Sequence, residues 1–152
     1  MASVLEAWRS DFMRLTLPEH KKLVFEVTVP IRWGDMDAMG HVNNTVYFRY
    51  MEIARLDWLT SLSLGAAPQG QGPVVVNAFC NFHQELRHPG DVAVRMFVAN
   101  AGRSSFDTYY ELRRSDDLAT LYASGGAKTV WIDYALRKGA PLPDSLRRLI
   151  AD

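Results

Sequence analysis

The chain of 152 residues has the size of one domain, and its 48% hydrophobic and 22% charged residues exclude intrinsic disorder. Seventeen basic and seventeen acidic side chains cancel at pH 7, so no global field draws the protein to nucleic acid or to an anionic membrane. Cys80 is the only cysteine, which excludes an internal disulfide or a cysteine-clustered metal site and fits a reducing cytoplasm.

In chain order, Val4, Leu5, Trp8, Phe12 and Leu15 recur at helical spacing, and Ser3 with Glu6 has the form of a capping box. A short helix ahead of Pro18 is expected there. The segment is amphipathic and contains acids, unlike a signal peptide, and no apolar run reaches the roughly 20 residues of a membrane span. A cytoplasmic protein without membrane insertion is therefore expected.

Leu23, Phe25, Val27 and Val29 alternate with polar residues, the period of a half-buried strand ending near Pro30. A loop follows, Trp33-Gly34-Asp35-Met36-Asp37-Ala38-Met39-Gly40-His41-Val42-Asn43-Asn44, carrying two acids, a histidine and two amides between glycines. Residues 45–62 read as the main helix, apolar over more than half its circumference and hence expected to be buried, with Asn43 or Asn44 as its cap. Residues 65–73 form a Gly/Pro loop. Strands are expected over 74–86, 92–100, 106–113 and 119–134, the last with a bulge at Gly125-Gly126, and a terminal helix over 143–150. One strand, one buried helix and four further strands describe an α+β domain, an antiparallel sheet wrapped around a helix.

The loop narrows the chemistry. Asp35-x-Asp37-x-x-Gly40 has the start of a calcium loop, but Met39 and Val46 stand where its fifth and twelfth positions need oxygen ligands. His41 has no further ligands at zinc spacing, so no metal is expected. Asn43-Asn44-Thr45 is a glycosylation sequon without a secretion signal. There is no nucleophile elbow, and Cys80 lies mid-strand, where an inert thiol is expected. Carboxylate chemistry remains: Asp37 could attack an activated carbonyl or activate a water, with N–H groups at the helix start stabilising an oxyanion.

The pattern Asp35-x-Asp37-x-x-Gly40-His41-Val42-Asn43-Asn44-x-x-Tyr47-x-x-Tyr50-x-Glu52-x-Ala54-Arg55 resembles the hotdog-fold acyl-CoA thioesterases of the 4-hydroxybenzoyl-CoA thioesterase-like family. Leu86-Arg87-His88-Pro89-Gly90-Asp91 is similar to that family's strand-to-strand turn, and Val130-Trp131-Ile132-Asp133 with Arg137 and Pro143 to its closing strand and tail. The resemblance implies a hotdog domain over residues 19–152, with a long central helix, preceded by a helical extension over residues 1–18. It implies a homodimer or a homotetramer with an acyl-CoA site at the subunit interface, and no cofactor. Asp37 matches the catalytic carboxylate and His41 the histidine near the thioester. Asn43, Val46 and Tyr47 would position the substrate or supply oxyanion N–H groups. Glu52 is an alternative carboxylate, because a second branch uses a helix acid, although Arg49 and Arg55 flank it at ion-pair spacing. Arg87, Arg103, Arg137 and Lys138 could meet the phosphates of coenzyme A. The rival readings are a non-catalytic acyl-CoA-binding module and a dehydratase, the latter lacking a suitable histidine and acid in the second half.

Overall fold

The computed structural model describes residues 15–65 and 70–151. The helix expected over residues 4–15 therefore lies, but for Leu15, outside the described residues; Leu15 to Pro18 have no regular structure. Six strands and two helices follow: β1 (Lys22–Pro30), α1 (Asn44–Ser61), β2 (Gln71–Phe82), β3 (Asp91–Ala99), β4 (Ser105–Arg114), β5 (Ala123–Asp133), β6 (Lys138–Gly139) and α2 (Asp144–Ala151), with a 3-10 turn at Trp33–Asp35. The strand order is β1-β3-β4-β5-β2, every pair antiparallel, with the short β6 continuing beside β5. This antiparallel sheet with two helices is consistent with a hotdog α+β fold.

Helix α1 lies against β3 and β1. It buries Tyr47, Tyr50, Met51, Ala54, Trp58 and Leu59, a stripe at three- and four-residue intervals. The stripe meets the inward residues of β3 and β4, among them Val94, Met96, Phe106, Tyr110 and Leu112, and the rings of Trp58 and Phe106 meet edge-on at 6.1 Å. Truncating such a buried tryptophan costs about 3–5 kcal/mol. The wide apolar arc expected of this helix is used: Val46, Ile53 and Leu62 pack half-buried against the same core, while Phe48, also half-buried, and Leu56, 46% exposed, lie outside that arc. The sheet of this chain covers one side of the helix.

Gly125 and Gly126 do not form the expected bulge. Both stand in regular register with β2 and β4, and the irregularity of that ladder lies instead between Val75 and Asn77 of β2. The two glycines serve close approach. A Cβ on Gly125 would stand 2.5 Å from Met51 Cε and from the Phe79 carbonyl oxygen, and one on Gly126 would stand 2.7 Å from the Phe79 ring. Glycine here lets α1 sit on one face of the sheet and aromatic rings on the other.

Strand ends also shift. β2 begins at Gln71, inside the expected loop, because Gln71, Gly72 and Pro73 pair with Asp133, Ile132 and Trp131. Pro73 is tolerated because β2 is an edge strand. β2 then stops at Phe82, short of the expected Leu86, where the N–H groups of His83 and Gln84 both donate to the Tyr122 carbonyl. β5 starts at Ala123 because Asp117 holds the preceding turn, accepting from Thr120 Oγ1 at 3.1 Å and Tyr122 Oη at 2.9 Å.

The sheet thus has two ends. Pro30, Phe82, Asp91, Arg114 and Ala123 mark one; Lys22, Gln71, Ala99, Ser105 and Asp133 mark the other. The acidic loop leaves β1 at the first end, where α1 also begins.

Candidate active site

The loop between β1 and α1 is shaped by its own side chains. Asp35 Oδ2 accepts from the Arg32 N–H at 2.9 Å and from Tyr50 Oη at 2.8 Å, which fixes the 3-10 turn to the second turn of α1. Tyr50 is 2% exposed, and burial, reinforced by the hydrogen bond to Asp35, drives its phenol far above its ordinary pKa. Asp35 is thereby a structural acid.

A bridge between Met36 and Val42 then closes a hairpin-like tip. Within it Asp37 N–H donates to the His41 carbonyl at 2.9 Å and Gly40 N–H donates to the Asp37 carbonyl at 3.0 Å. Gly40 takes φ +78°, a conformation that glycine adopts at least cost.

The Asp37 carboxylate accepts one hydrogen bond on each oxygen. Met39 N–H donates to Oδ1 at 2.9 Å, an Asx turn, and Asn43 Nδ2 donates to Oδ2 at 3.1 Å. Asn43 is also the N-cap of α1, its Oδ1 accepting from Thr45 N–H at 2.9 Å and Thr45 Oγ1 at 2.6 Å. One amide therefore spends its oxygen on the helix and its nitrogen on Asp37. An exposed carboxylate results beside the positive end of an 18-residue helix. Among the expected oxyanion donors, Val46 N–H donates to the Asn43 carbonyl at 3.0 Å.

Tyr47 anchors the loop from beneath. Its Oη accepts from Leu86 N–H at 3.1 Å, while the Leu86 carbonyl accepts from Val42 N–H at 2.8 Å. Its ring meets Phe82 edge-on at 4.9 Å, and burial raises its pKa.

The same tie brings residues 85–87 against the loop. Arg87 Nη2 lies 3.0 Å from His41 Nε2, Glu85 Oε2 lies 3.5 Å from that nitrogen, and Arg87 and Glu85 pair at 3.3 Å. Glu85 is an addition to the residues expected from the sequence. Its only signal was adjacency to the Leu86-Arg87 turn, and what matters is a contact across 44 residues of chain.

Asp37, His41, Asn43, Val46, Tyr47 and Arg87 are thus assembled at one end of the sheet. Glu52 is on α1, bonded by Arg49 Nη1 at 2.7 Å; Arg55 turns instead to Tyr110 Oη at 3.1 Å. Arg103, Arg137 and Lys138 stand at the opposite end, before β4 and around β6. A ten-residue strand such as β4 spans about 30 Å. Cys80 is half-buried on β2, its thiol pushed up to about 12 by desolvation, which keeps it protonated and unreactive. Among the described residues no group of histidine, cysteine and acid side chains could hold a metal, and no helix is long and apolar enough to cross a membrane.

A sequence model described as the thioesterase-like superfamily matches residues 31–150. Among solved structures, a candidate thioesterase from Pseudomonas aeruginosa is 36% identical with a TM-score of 0.81, over 84% of this chain and 98% of that one. A candidate acyl-CoA thioesterase from Xanthomonas campestris is 37% identical with a TM-score of 0.68, over 74% and 95%. A 1,4-dihydroxy-2-naphthoyl-CoA thioesterase from Synechocystis, 24% identical with a TM-score of 0.73 over 84% and 96%, shares the fold. The uncharacterized protein YsmA of Bacillus subtilis (strain 168) is 23% identical over 82 residues, 54% of this chain, which spans only 56% of that curated relative.

Proposed function

This chain belongs to the thioesterase-like superfamily, and on that premise we propose that it is an acyl-CoA thioesterase, hydrolysing an acyl thioester to the free acid and coenzyme A. The single observation that carries the reading is the bond from Asn43 Nδ2 to Asp37 Oδ2, by which the residue that caps α1 also holds a carboxylate at its N-terminus. The thioester carbonyl would lie against that terminus, where the helix dipole and N–H groups near Val46 and Tyr47 favour the oxyanion, the Val46 N–H sharing the bond it gives to the Asn43 carbonyl. Asp37 would take a proton from water as the oxygen bonds to the carbonyl carbon, and return it to the departing thiolate. Alternatively Asp37 bonds to that carbon itself, expels the thiolate, and yields a mixed anhydride that water opens. His41 and Asn43 would orient the substrate.

Of the four cations expected to meet the phosphates, Arg87 is the one on this end of the sheet, where it pairs with Glu85 and His41. Arg103, Arg137 and Lys138, at the far end, would serve a neighbouring subunit's site in a homodimer or homotetramer. Glu52, occupied by Arg49, would remain structural.

The experiment is release of thiol from short, long and aromatic acyl-CoAs by the wild type and Asp37→Asn. Hydrolysis by the wild type that falls at least a hundredfold in the variant is expected. Undiminished turnover would remove Asp37 from the chemistry, and binding of every ester without turnover would make the protein an acyl-CoA-binding module.

A further inference from the structure

A groove of about 360 Å³ runs along the flank of α1 between Thr45, Phe48, Glu52 and Arg55 of the helix and Val75 and Ala78 of the edge strand β2. Its mouth is at the candidate site, because Thr45 bonds to Asn43, and Asn43 bonds to Asp37. Its far end is Arg55, ten residues on and so about 15 Å along the helix axis. Between the two, Phe48, Met51, Val75 and Ala78 give an apolar wall.

The far end is polar and ordered. Arg55 Nη1 donates to Tyr110 Oη at 3.1 Å, Tyr110 Oη to Thr108 Oγ1 at 2.8 Å, and Thr108 Oγ1 to the Ala127 carbonyl at 3.3 Å. Tyr110 and Thr108 are fully buried, so this chain of bonds fixes the guanidinium against a rigid wall. Glu52 stands one turn back at the spacing of an ordinary helix ion pair, yet its carboxylate is held by Arg49. Among the described residues Arg55 has no acidic partner, and one of its five N–H donors is used by Tyr110. The three charged side chains of the groove, Arg49, Glu52 and Arg55, sum to one positive charge located at the inner end. A half-buried guanidinium with a spare fork of donors is matched by a carboxylate.

We propose that this groove takes the acyl chain of the substrate and that Arg55 binds a carboxylate at its distal end, so that the preferred thioesters are medium-chain ω-carboxyacyl-CoAs. The inference rests on the thioesterase reading. The apolar wall carries the methylenes, and Arg55 replaces the water that a distal carboxylate would lose on entering the groove.

The test compares kcat/KM for dodecanedioyl-CoA and dodecanoyl-CoA, esters that differ only at the distal carbon. The wild type should favour the dicarboxylic ester by about tenfold or more, the worth of one charge-assisted contact. In Arg55→Met the ratio should fall to one or below, and in Arg55→Lys, which keeps charge but not the fork, it should be intermediate, with thermal melts confirming folding. A wild-type ratio of one or less, or a ratio indifferent to both substitutions, overturns the inference while leaving thioester hydrolysis intact. If neither ester is hydrolysed, the thioesterase reading fails instead. Calorimetric affinities for the two esters then decide, equal values overturning the role of Arg55. A change of oligomeric state in Arg55→Met with the ratio preserved would show that the carboxylate comes from a second copy of the chain, which also overturns it.

Discussion

Arg87 Nη2 lies 3.0 Å from His41 Nε2, and because a guanidinium only donates, that contact makes Nε2 an acceptor and leaves the proton of the neutral ring on Nδ1. Glu85, 3.5 Å from the same nitrogen, has the opposite preference. With Arg87 in place the neutral His41 ring should carry its proton on Nδ1. Replacing Arg87 by methionine should leave Glu85 as the sole partner and move the proton to Nε2. Long-range proton–nitrogen NMR of the imidazole, recorded where the ring is neutral, reads this directly; nitrogen shifts identical in wild type and Arg87→Met would rule it out.

Asn43 separates two functions by substitution. Asn43→Ser keeps a capping oxygen, so stability should stay within about 0.5 kcal/mol, whereas Asn43→Ala should lose about 1 kcal/mol with the cap. Both remove the bond to Asp37. Turnover should therefore fall about tenfold or more in both variants alike. An active Asn43→Ser would mean that Asp37 needs no help from the cap, as stopped-flow thiol release would reveal.

Gly125→Ala should destabilise the fold by about 1–3 kcal/mol in urea titration. The added methyl would meet Met51 Cε, which can move, and the Phe79 carbonyl oxygen, which cannot, both at 2.5 Å. Combining it with Met51→Ala should therefore recover less than the whole loss after subtracting the cost of Met51→Ala alone. Full recovery would show that the helix side chain was the sole obstacle.

Stability should decline on the alkaline side. The Cys80 thiol titrates near 9 when unfolded and at about 12 in the fold, so between those values the native state holds the extra proton. Its contribution is complete below pH 9 and is lost as pH rises toward 12. Buried Tyr47 and Tyr110, whose pKa values are also raised by desolvation, act in the same direction. Cys80→Ala should flatten the slope of unfolding free energy against pH by up to about 1.4 kcal/mol per unit, one proton's worth. Parallel slopes from chemical denaturation at pH 9 to 11 would contradict this.

Local chemistry was readable in the sequence wherever neighbours in the chain decide it. The alternation of Phe25, Val27 and Val29 and the capping amide at Asn43 are set within a few residues, and the structure has them; Leu23, expected on the same face, is 39% exposed because the ladder shifts register between it and Phe25. Contacts between distant segments were not readable. Gly125-Gly126 looks like a bulge in one dimension, and only the approach of Met51 and Phe79 gives the pair its purpose. Lys138–Gly139 has no strand pattern and becomes β6 solely by lying beside Ile132 and Asp133. Helical spacing offers Glu52 to Arg49 and Arg55 equally; Tyr110, from β4, decides between them. For the same reason Arg87 could not be told from Arg103, Arg137 and Lys138 until the strands assigned each to an end.

The backbone of Leu86 holds both limbs of the loop, its carbonyl accepting from Val42 N–H and its N–H donating to Tyr47 Oη. The stretch between those two residues therefore has a fixed length, since one inserted residue would break a grip or rotate α1 by about 100°. The tip from Ala38 to Gly40 carries no such double constraint beyond its own short turns. An indel at the root should accordingly unseat α1 from the sheet, whereas one at the tip should leave the fold standing and displace the turn that holds Asp37.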